Sequence, residues 1–268
     1  MTVCQHRYLS ETMAHDRDVF PWSSVVRSRC LVPFAAAVLT AVLSGCNPQL
    51  ADDRPGDDSP SPAASAASPA AGGPAPGAGS LTLSNAIAAI PDGVERRDGY
   101  KRDSFRHWID EDGDGCNTRA EVLIDEATIK PDQSDRCTLS GGSWLSYYDE
   151  IEVTDPRKLD IDHVVPLAEA WDSGAYDWSA ERRQAYANDL GSDRSLVAVT
   201  ARSNRSKGDK DPAQWLPPAE SAHCTYAADW TATKLRWKLS ADEEEKSALL
   251  GLAKARPDTM VKYEEAAE

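Results

Sequence analysis

Two short segments of the chain carry side chains that could bind a divalent metal ion and activate a water molecule. The first, residues 159–167, reads LDIDHVVPL and contains Asp160, Asp162 and His163. Carboxylates are good ligands for hard cations, and an imidazole, whose pKa lies near neutrality, can take a proton from water. A carboxylate beside a histidine is therefore typical of metal-assisted hydrolysis.

The second segment, residues 203–211, reads SNRSKGDKD and could complete such a site. Asn204 offers a neutral amide oxygen as a further ligand. Arg205, Lys207 and Lys210 offer positive charges at a spacing that, on a helix, would bring some of them beside a bound phosphate. The two segments together predict a site for one cation and a phosphate-containing substrate.

The local sequence predicts a β-hairpin followed by a helix to position these groups. The alternating, β-branched run that ends before Pro166 is typical of a strand, so Asp160 and Asp162 share one face. His163 can join them only if the strand ends or twists at that point, which the nearby proline favours. A second apolar strand, LVAVT at residues 196–200, precedes the helix of the second segment.

The order and spacing of several motifs resemble the HNH, or ββα-metal, nucleases, and more narrowly the GmrSD-type C-terminal HNH endonuclease family of bacterial secreted proteins. The resemblance implies an α+β fold with a ββα-metal core, short antiparallel strands and packing helices. The segments that carry it are DHVVPLAEAW (162–171), YANDL (186–190) and LVAVTARSNRSKGDKDPAQWLPP (196–218), with weaker matches at GYKRDSF (99–105) and DGDGCNTRAEVL (112–123).

The resemblance implies a metal-dependent endonuclease with His163 as general base. Asp162 and Asn204 would hold one Mg²⁺ or Mn²⁺, and Asp160 would lie beside these ligands. Water activated by the histidine would attack phosphorus in line and leave 5′-phosphate ends. DNA is the implied substrate, with RNA left open, and little sequence preference is expected because no base-reading element is evident.

Further roles follow from the same resemblance. Arg119 and Glu121 would lie on a strand beside the site, where Arg119 contacts a phosphate and Glu121 orients it or joins the outer metal shell. Lys207 would lie near the scissile phosphate, although a solvated surface lysine is the alternative. Ser195 stands where HNH proteins generally carry an asparagine that steadies the metal loop, and Asn188 could supply that amide instead.

An acidic stretch at residues 110–121, DEDGDGCNTRAE, satisfies the pattern of an EF-hand calcium loop. The calcium ligands would include the side chains of Asp110, Asp112, Asp114 and Glu121. Against this interpretation, Asn117 replaces the usual apolar anchor, and residues 121–124 are typical of a strand. The alternatives are a plain Asp/Gly turn and a calcium-dependent surface binding module, which is the rival to the nuclease.

The net charge limits how the chain could bind nucleic acid. Lys and Arg number 29 against 44 Asp and Glu, which gives a formal charge of −15. Such a balance excludes a protein that coats nucleic acid through its overall charge. It leaves room for a local basic groove and a metal ion that shields the phosphate. No protein partner is implied.

The first 80 residues predict export and tethering. In residues 1–46, Arg27 and Arg29 precede an apolar stretch that is short for a membrane span and ends in LSGC. This ending resembles a bacterial lipobox, which would make Cys46 a lipid anchor at the outer face of the cell membrane; the alternative is an ordinary secretory signal. Residues 47–80, rich in Pro, Ala, Gly and Ser, predict a disordered linker, and residues 81–268 the endonuclease-like domain.

The cysteines agree with an oxidising compartment. The predicted domain contains Cys116, Cys137 and Cys224, which allow one disulfide with one thiol left over. Pairing of Cys116 with Cys137 is favoured, because closing a loop of that length would stabilise the fold by about 3 kcal/mol. The remaining pattern predicts helices over residues 81–90, 182–190 and much of 219–255.

Overall fold

The computed structural model describes residues 78–267. The predicted export signal, its lipobox cysteine Cys46 and most of the linker lie outside the described residues. Within the described range the fold mixes α-helices with short antiparallel strand pairs, as predicted. In chain order the elements are β1 (Ala78–Thr82), α1 (Leu83–Ala89), α2 (Thr118–Glu126), β2 (Asp132–Ser134), β3 (Thr138–Ser140), β4 (Trp144–Ser146), β5 (Ile151–Val153), β6 (Leu159–His163), α3 (Leu167–Asp172), α4 (Ala180–Ala187), β7 (Leu196–Thr200), α5 (Ala201–Lys207), α6 (His223–Trp237), α7 (Glu243–Lys254) and β8 (Met260–Glu264).

The strands form four separate antiparallel pairs: β1 with β8, β2 with β3, β4 with β5, and β6 with β7. Strand β1 corrects two predictions at the start of the domain. It includes residues 78–80, which the composition assigns to the linker, and it delays the first helix to Leu83. The reason is a distant partner, because Leu81 pairs with Val261 in β8.

The β6–β7 hairpin lies between two apolar clusters. Val197 and Val199 of β7 belong to a large core that also includes buried side chains of α1, α3, α4, α6 and α7. Ile161 and Leu196 face a smaller cluster with residues of α2, β4 and β5. Since both faces are covered, every residue of β7 is buried, which explains why its sequence is an apolar run rather than an alternation.

Helix α2 is the main correction to the predicted elements. Residues 121–124 were expected to form a strand, but Thr118–Glu126 is helical. Asn117 caps the helix, because its side-chain oxygen accepts a hydrogen bond from the backbone of Ala120 at 3.0 Å. Val122 and Leu123 are buried in the smaller cluster, so packing against the hairpin outweighs the β-propensity of the run.

The predicted disulfide between Cys116 and Cys137 is confirmed. It joins the end of the acidic loop to the β2–β3 turn, where Arg136 and Cys137 both adopt positive φ. Cys224 is buried, and its sulfur lies 2.9 Å from the hydroxyl of Thr259. None of the helices within residues 78–267 is both long and apolar enough to cross a membrane.

Candidate active site

The β6–β7 hairpin and α5 bring the three central predicted residues to one cavity. Strand β6 ends at His163, which pairs with Leu196. The strand therefore ends at the residue where the sequence predicted an end or a twist. Thr200 ends β7 and caps α5 by accepting a hydrogen bond from the backbone of Ser203. Asp162, His163 and Asn204 then line a cavity of about 180 Å³.

The imidazole of His163 is fixed through one nitrogen. Its Nε2 lies 2.9 Å from the carbonyl oxygen of Ala187, at the end of α4. A carbonyl can only accept, so Nε2 carries the hydrogen and Nδ1 is left with its lone pair. Burial lowers the pKa of His163 to about 3, because the charged form is poorly solvated there. The ring is therefore neutral over the physiological pH range with its Nδ1 lone pair free, and the same burial makes Nδ1 a weaker base than an exposed imidazole.

The carboxylate of Asp162 is buried and held by two donors on the same oxygen. Oδ2 accepts hydrogen bonds from the hydroxyl of Tyr148 at 2.6 Å and from the ammonium of Lys207 at 2.5 Å. Within the described part of the chain Oδ1 receives no comparable bond. Burial raises the pKa of Asp162, while Lys207 and Tyr148 oppose that rise. The carboxylate is thus oriented by one oxygen while the other remains available.

Lys207 is buried and does not line the cavity, so the solvated-surface alternative for it is corrected. Its position near a scissile phosphate stays a prediction. Its side chain is fully buried, and its ammonium also donates to the carbonyl oxygen of His163 at 2.8 Å. Burial lowers the pKa of Lys207, whereas Asp162 raises it. The lysine therefore joins α5 to the end of β6 from inside the protein.

Asp160 orients the amide of Asn204. The Nδ2 group of Asn204 donates to Oδ2 of Asp160 at 3.3 Å, and the guanidinium of Arg205 lies 3.5 Å from the same oxygen. With the amide nitrogen engaged, Oδ1 of Asn204 is the atom left for a ligand. Asp160 itself is not among the residues that line the cavity.

Arg119 and Glu121 lie on α2 rather than on a strand. The guanidinium of Arg119 is half-buried and donates to the carbonyl oxygens of Pro156 and Leu159 at 3.0 and 2.9 Å. These bonds hold Arg119 at the start of β6, and Arg119 is not among the residues that line the cavity. Its contact with a phosphate stays a prediction. Glu121 faces the acidic loop, where burial and then Asp114 raise its pKa.

The two candidates for the steadying asparagine have separate roles. The side chain of Asn188 bonds the backbone of Arg106 and Ile109, at 2.7 and 3.1 Å. The hydroxyl of Ser195 donates to Asp189 at 2.6 Å, and its carbonyl accepts from the backbone of Val164. Neither the hydroxyl nor the amide bridges the two strands directly.

Asp189 and Arg102 are site residues that sequence reasoning missed. The carboxylate of Asp189 accepts hydrogen bonds from the side chains of Arg236, Trp237 and Ser195. It therefore anchors the loop before β7 to α6. Arg102 lines the cavity with Arg205, and no carboxylate within residues 78–267 pairs with it. The signal for each was present, because they occur in the motifs YANDL and GYKRDSF.

The acidic loop folds around its own carboxylates. Carboxylate oxygens of Asp110, Asp112 and Asp114 lie within 4.8 Å of one another, and Glu121 is similarly close to Asp114. Asp110 also accepts from the backbone of Gly113 and of Gly115, at 2.9 and 3.1 Å. The helix that follows removes one objection to a calcium loop, but the three aspartates are exposed.

The donors at the cavity fit a hard divalent cation. Oδ1 of Asp162 and Oδ1 of Asn204 are oxygen ligands of the kind that Mg²⁺ and Mn²⁺ prefer, and no thiolate lies among the lining residues. The neutral imidazole of His163 lines the same cavity. The arrangement can bind a cation and accept a proton from water at adjacent positions.

Comparison with known proteins agrees with this chemistry. Residues 118–252 match the model of the family described as GmrSD restriction endonucleases, C-terminal domain. The chain belongs to this family. Within this GmrSD family domain lie Asp162, His163 and Asn204, whereas Arg102 and Trp108 precede the matched range.

One relative extends the similarity. A protein of Arthroderma benhamiae, named an uncharacterized secreted protein, is 44% identical over 172 residues. The alignment covers 64% of this chain and 81% of the relative. No solved structure matches the chain.

Proposed function

We propose that the chain is an exported, metal-dependent HNH endonuclease that hydrolyses phosphodiester bonds of DNA with little sequence preference; cleavage of RNA stays open. The observation that carries the proposal is the convergence of His163, Asp162 and Asn204 on one cavity that Arg102 and Arg205 also line. The two arginines balance the lining carboxylates of Asp162 and Asp209, and a bound cation would make the cavity positive in a chain whose net charge is −15. That combination suits a polyanionic substrate better than a neutral one.

The proton acceptor is Nδ1 of His163. The carbonyl of Ala187 holds Nε2–H and stabilises the imidazolium that forms when Nδ1 takes a proton from the attacking water. Tyr148 and Lys207 keep Asp162 in a single orientation, and Asp160 does the same for Asn204. Lewis-acid stabilisation of the charge on phosphorus and on the leaving 3′ oxygen is the chemistry that a bound Mg²⁺ or Mn²⁺ would supply.

The proposal includes export. A relative named as secreted and the Cys116–Cys137 disulfide both support an oxidising, extracytoplasmic location. The lipid anchor at Cys46 remains part of the proposal, and its test is metabolic labelling with a fatty acid beside Cys46→Ser. Labelling of the parent chain and its loss in the variant are expected; a secreted, unlabelled parent chain would leave an ordinary signal peptide.

Plasmid nicking tests the activity. The chain, with its disulfide intact, is assayed in Mg²⁺, Mn²⁺, Ca²⁺ and EDTA, beside His163→Ala. The matched control is His223→Ala, because Nε2 of His223 also bonds a carbonyl, that of Pro217, at 2.9 Å, but His223 does not line the cavity. Cleavage in Mg²⁺ or Mn²⁺ that survives in the control and disappears in His163→Ala is expected. A folded chain that cleaves nothing in any metal would overturn the proposal.

The rival is a calcium-dependent surface binding module. It is favoured by one observation, the close approach of the carboxylates of Asp110, Asp112 and Asp114 ahead of a helix. Calorimetric titration of Ca²⁺ into the parent chain and Asp112→Asn separates the two. Calcium binding that depends on Asp112, in a chain without nuclease activity, would transfer the function to this loop.

A further inference from the structure

Trp108 has a backbone conformation that its residue type disfavours. Its φ is +61°, in the left-handed region. For most residues other than glycine and asparagine this conformation costs about 1–2 kcal/mol. A bulky indole in this region is an outlier that the surrounding structure must maintain. Such positions are often found where a side chain has to point in one particular direction.

The backbone on both sides of Trp108 is held by one asparagine. Asn188 donates through Nδ2 to the carbonyl of Arg106 at 2.7 Å, and its Oδ1 accepts from the backbone of Ile109 at 3.1 Å. Thr118 donates to the carbonyl of Ile109 from its backbone N–H at 2.8 Å, and its hydroxyl shares one hydrogen between that carbonyl and Oδ1 of Asn188, at 3.0 and 2.8 Å. The backbone on both sides of the indole is therefore held by hydrogen bonds.

The indole that this turn presents stacks on the proposed general base. The ring centroids of Trp108 and His163 are 5.6 Å apart, and their planes differ by 29°. Tyr186 is also nearly parallel to the imidazole, at 6.2 Å and 22°. No ring contact joins Trp108 to Tyr186 among the described residues, so the two rings contact the imidazole independently.

Three consecutive residues at the C-terminal end of α4 hold the imidazole of His163 and the turn that bears Trp108. Tyr186 covers one side of the imidazole, the carbonyl of Ala187 binds its Nε2, and Asn188 holds the turn that bears Trp108. Trp108 adds a second stacking contact to the ring. Removing the indole would free the ring to rotate about its Cβ–Cγ bond, which exchanges the nitrogen that faces the cavity for a carbon.

We propose that Trp108 is a positioning residue, which keeps Nδ1 of His163 directed at the cavity by stacking on the imidazole. The expected effect on catalysis rests on the proposed function, whereas the positioning of the ring does not. This role of Trp108 places a determinant of the site outside residues 118–252, the part that matches the family. Trp108 acts through His163, and it is not among the described residues that line the cavity.

The test compares Trp108→Ala and Trp108→Phe with the parent chain. The matched control is Trp178→Ala, which removes an indole that packs on Tyr186 and Trp237 instead of His163. Trp108→Ala is expected to lower kcat on the order of 100-fold, the usual cost of a misplaced catalytic group, while KM and Mn²⁺ affinity change less than about twofold. Trp108→Phe, which retains an aromatic plane, should recover most of the loss.

A second measurement does not depend on nuclease activity. Nitrogen-15 NMR of the His163 side chain should show the single Nε2–H tautomer in the parent chain and in Trp178→Ala, and an averaged ring in Trp108→Ala. A parent chain that cleaves nothing but shows this NMR difference would overturn the nuclease and leave the positioning role intact. Unchanged kcat and an unchanged tautomer in Trp108→Ala would overturn the inference itself. If the alanine variant does not fold, Trp108→Leu, which fills the space without an aromatic plane, takes its place with the same expected results.

Discussion

Two buried lysines illustrate how the same chemical pair serves different ends in this protein. Lys207 and Lys234 both have fully buried side chains, and both pair with carboxylates. Lys207 has one carboxylate partner, Asp162, whose other oxygen is left at the cavity. Lys234 has two, Glu169 and Glu245.

The surroundings of the two lysines differ in how completely they satisfy the charge. Lys234 donates to the side chain of Ser173 and to the carbonyl of Ser240 as well as to its two carboxylates, so four acceptors surround it. Burial alone would lower the pKa of Lys234, but the two carboxylates raise it, whereas the pKa of Lys207 is lowered. The Lys234 cluster is a closed structural unit, and the Lys207 pair leaves a charge only partly compensated beside a cavity.

The largest expected effect comes from breaking the closed unit. Lys234→Met leaves the carboxylates of Glu169 and Glu245 buried together without a cation, and we expect a loss of about 3–5 kcal/mol in the free energy of unfolding. Urea denaturation measures it, with the exposed Lys254→Met as control. A loss no larger than in the control would mean that the two carboxylates hold a proton instead.

Breaking the pair of Lys207 and Asp162 should lower the free energy of unfolding less than breaking the Lys234 cluster, but it should lower the cleavage rate more. Lys207→Met leaves the single carboxylate of Asp162, so we expect a loss of about 2–3 kcal/mol and a large fall in cleavage rate. Because a cation at Asp162 would replace the missing charge, Mn²⁺ should raise Tm more in this variant than in the parent chain. Equal Mn²⁺ shifts in the two proteins would argue against a cation site at Asp162.

The two regions should respond to pH in opposite directions. The folded pKa of His163 is lowered to about 3, so its contribution to stability is full above pH 6.5 and is lost as pH falls toward 3. Burial raises the pKa of Glu245 to about 7, so its contribution is full below pH 4.5 and is lost as pH rises through 7. In a plot of Tm against pH, His163→Gln should reduce the fall of Tm at acidic pH, and Glu245→Gln should reduce the fall of Tm near pH 7. If each variant instead showed the effect expected of the other, the pKa directions of these two residues would be refuted.

The smallest effect on stability is expected at the open rim of the cavity. Arg102→Ala removes an exposed side chain without a carboxylate partner among the described residues, so the free energy of unfolding should change by less than about 0.5 kcal/mol. KM for DNA should rise, and the slope of log KM against log salt should fall by about 1, as for one lost phosphate contact. Arg157 is not among the residues that line the cavity, so Arg157→Ala is the control. It should leave KM and its salt dependence unchanged.

Local sequence patterns predicted the parts of the fold that depend on near neighbours. The alternation in residues 159–163 and the apolar run at 196–200 indicated the two strands that pair as β6 and β7. Counting the cysteines predicted one disulfide, and the short loop that Cys116 and Cys137 close favoured their pairing, which the structure confirms. Helix α2 was missed because the apolar residues 122–124 suit a strand as well as a helix, and only their burial against the hairpin decides.

The sequence by itself determined the three side chains that are predicted to bind the cation and activate water: His163, Asp162 and Asn204 stand in short motifs whose chemistry can be read directly. Only the tertiary structure decided how these side chains are held. Lys207 is buried against Asp162, and Trp108 stacks on His163, through contacts between residues far apart in the chain. The physical reason is that a lysine or a tryptophan has the same local preferences on a surface and in a core, so its partners are set by packing and by desolvation rather than by the residues next to it.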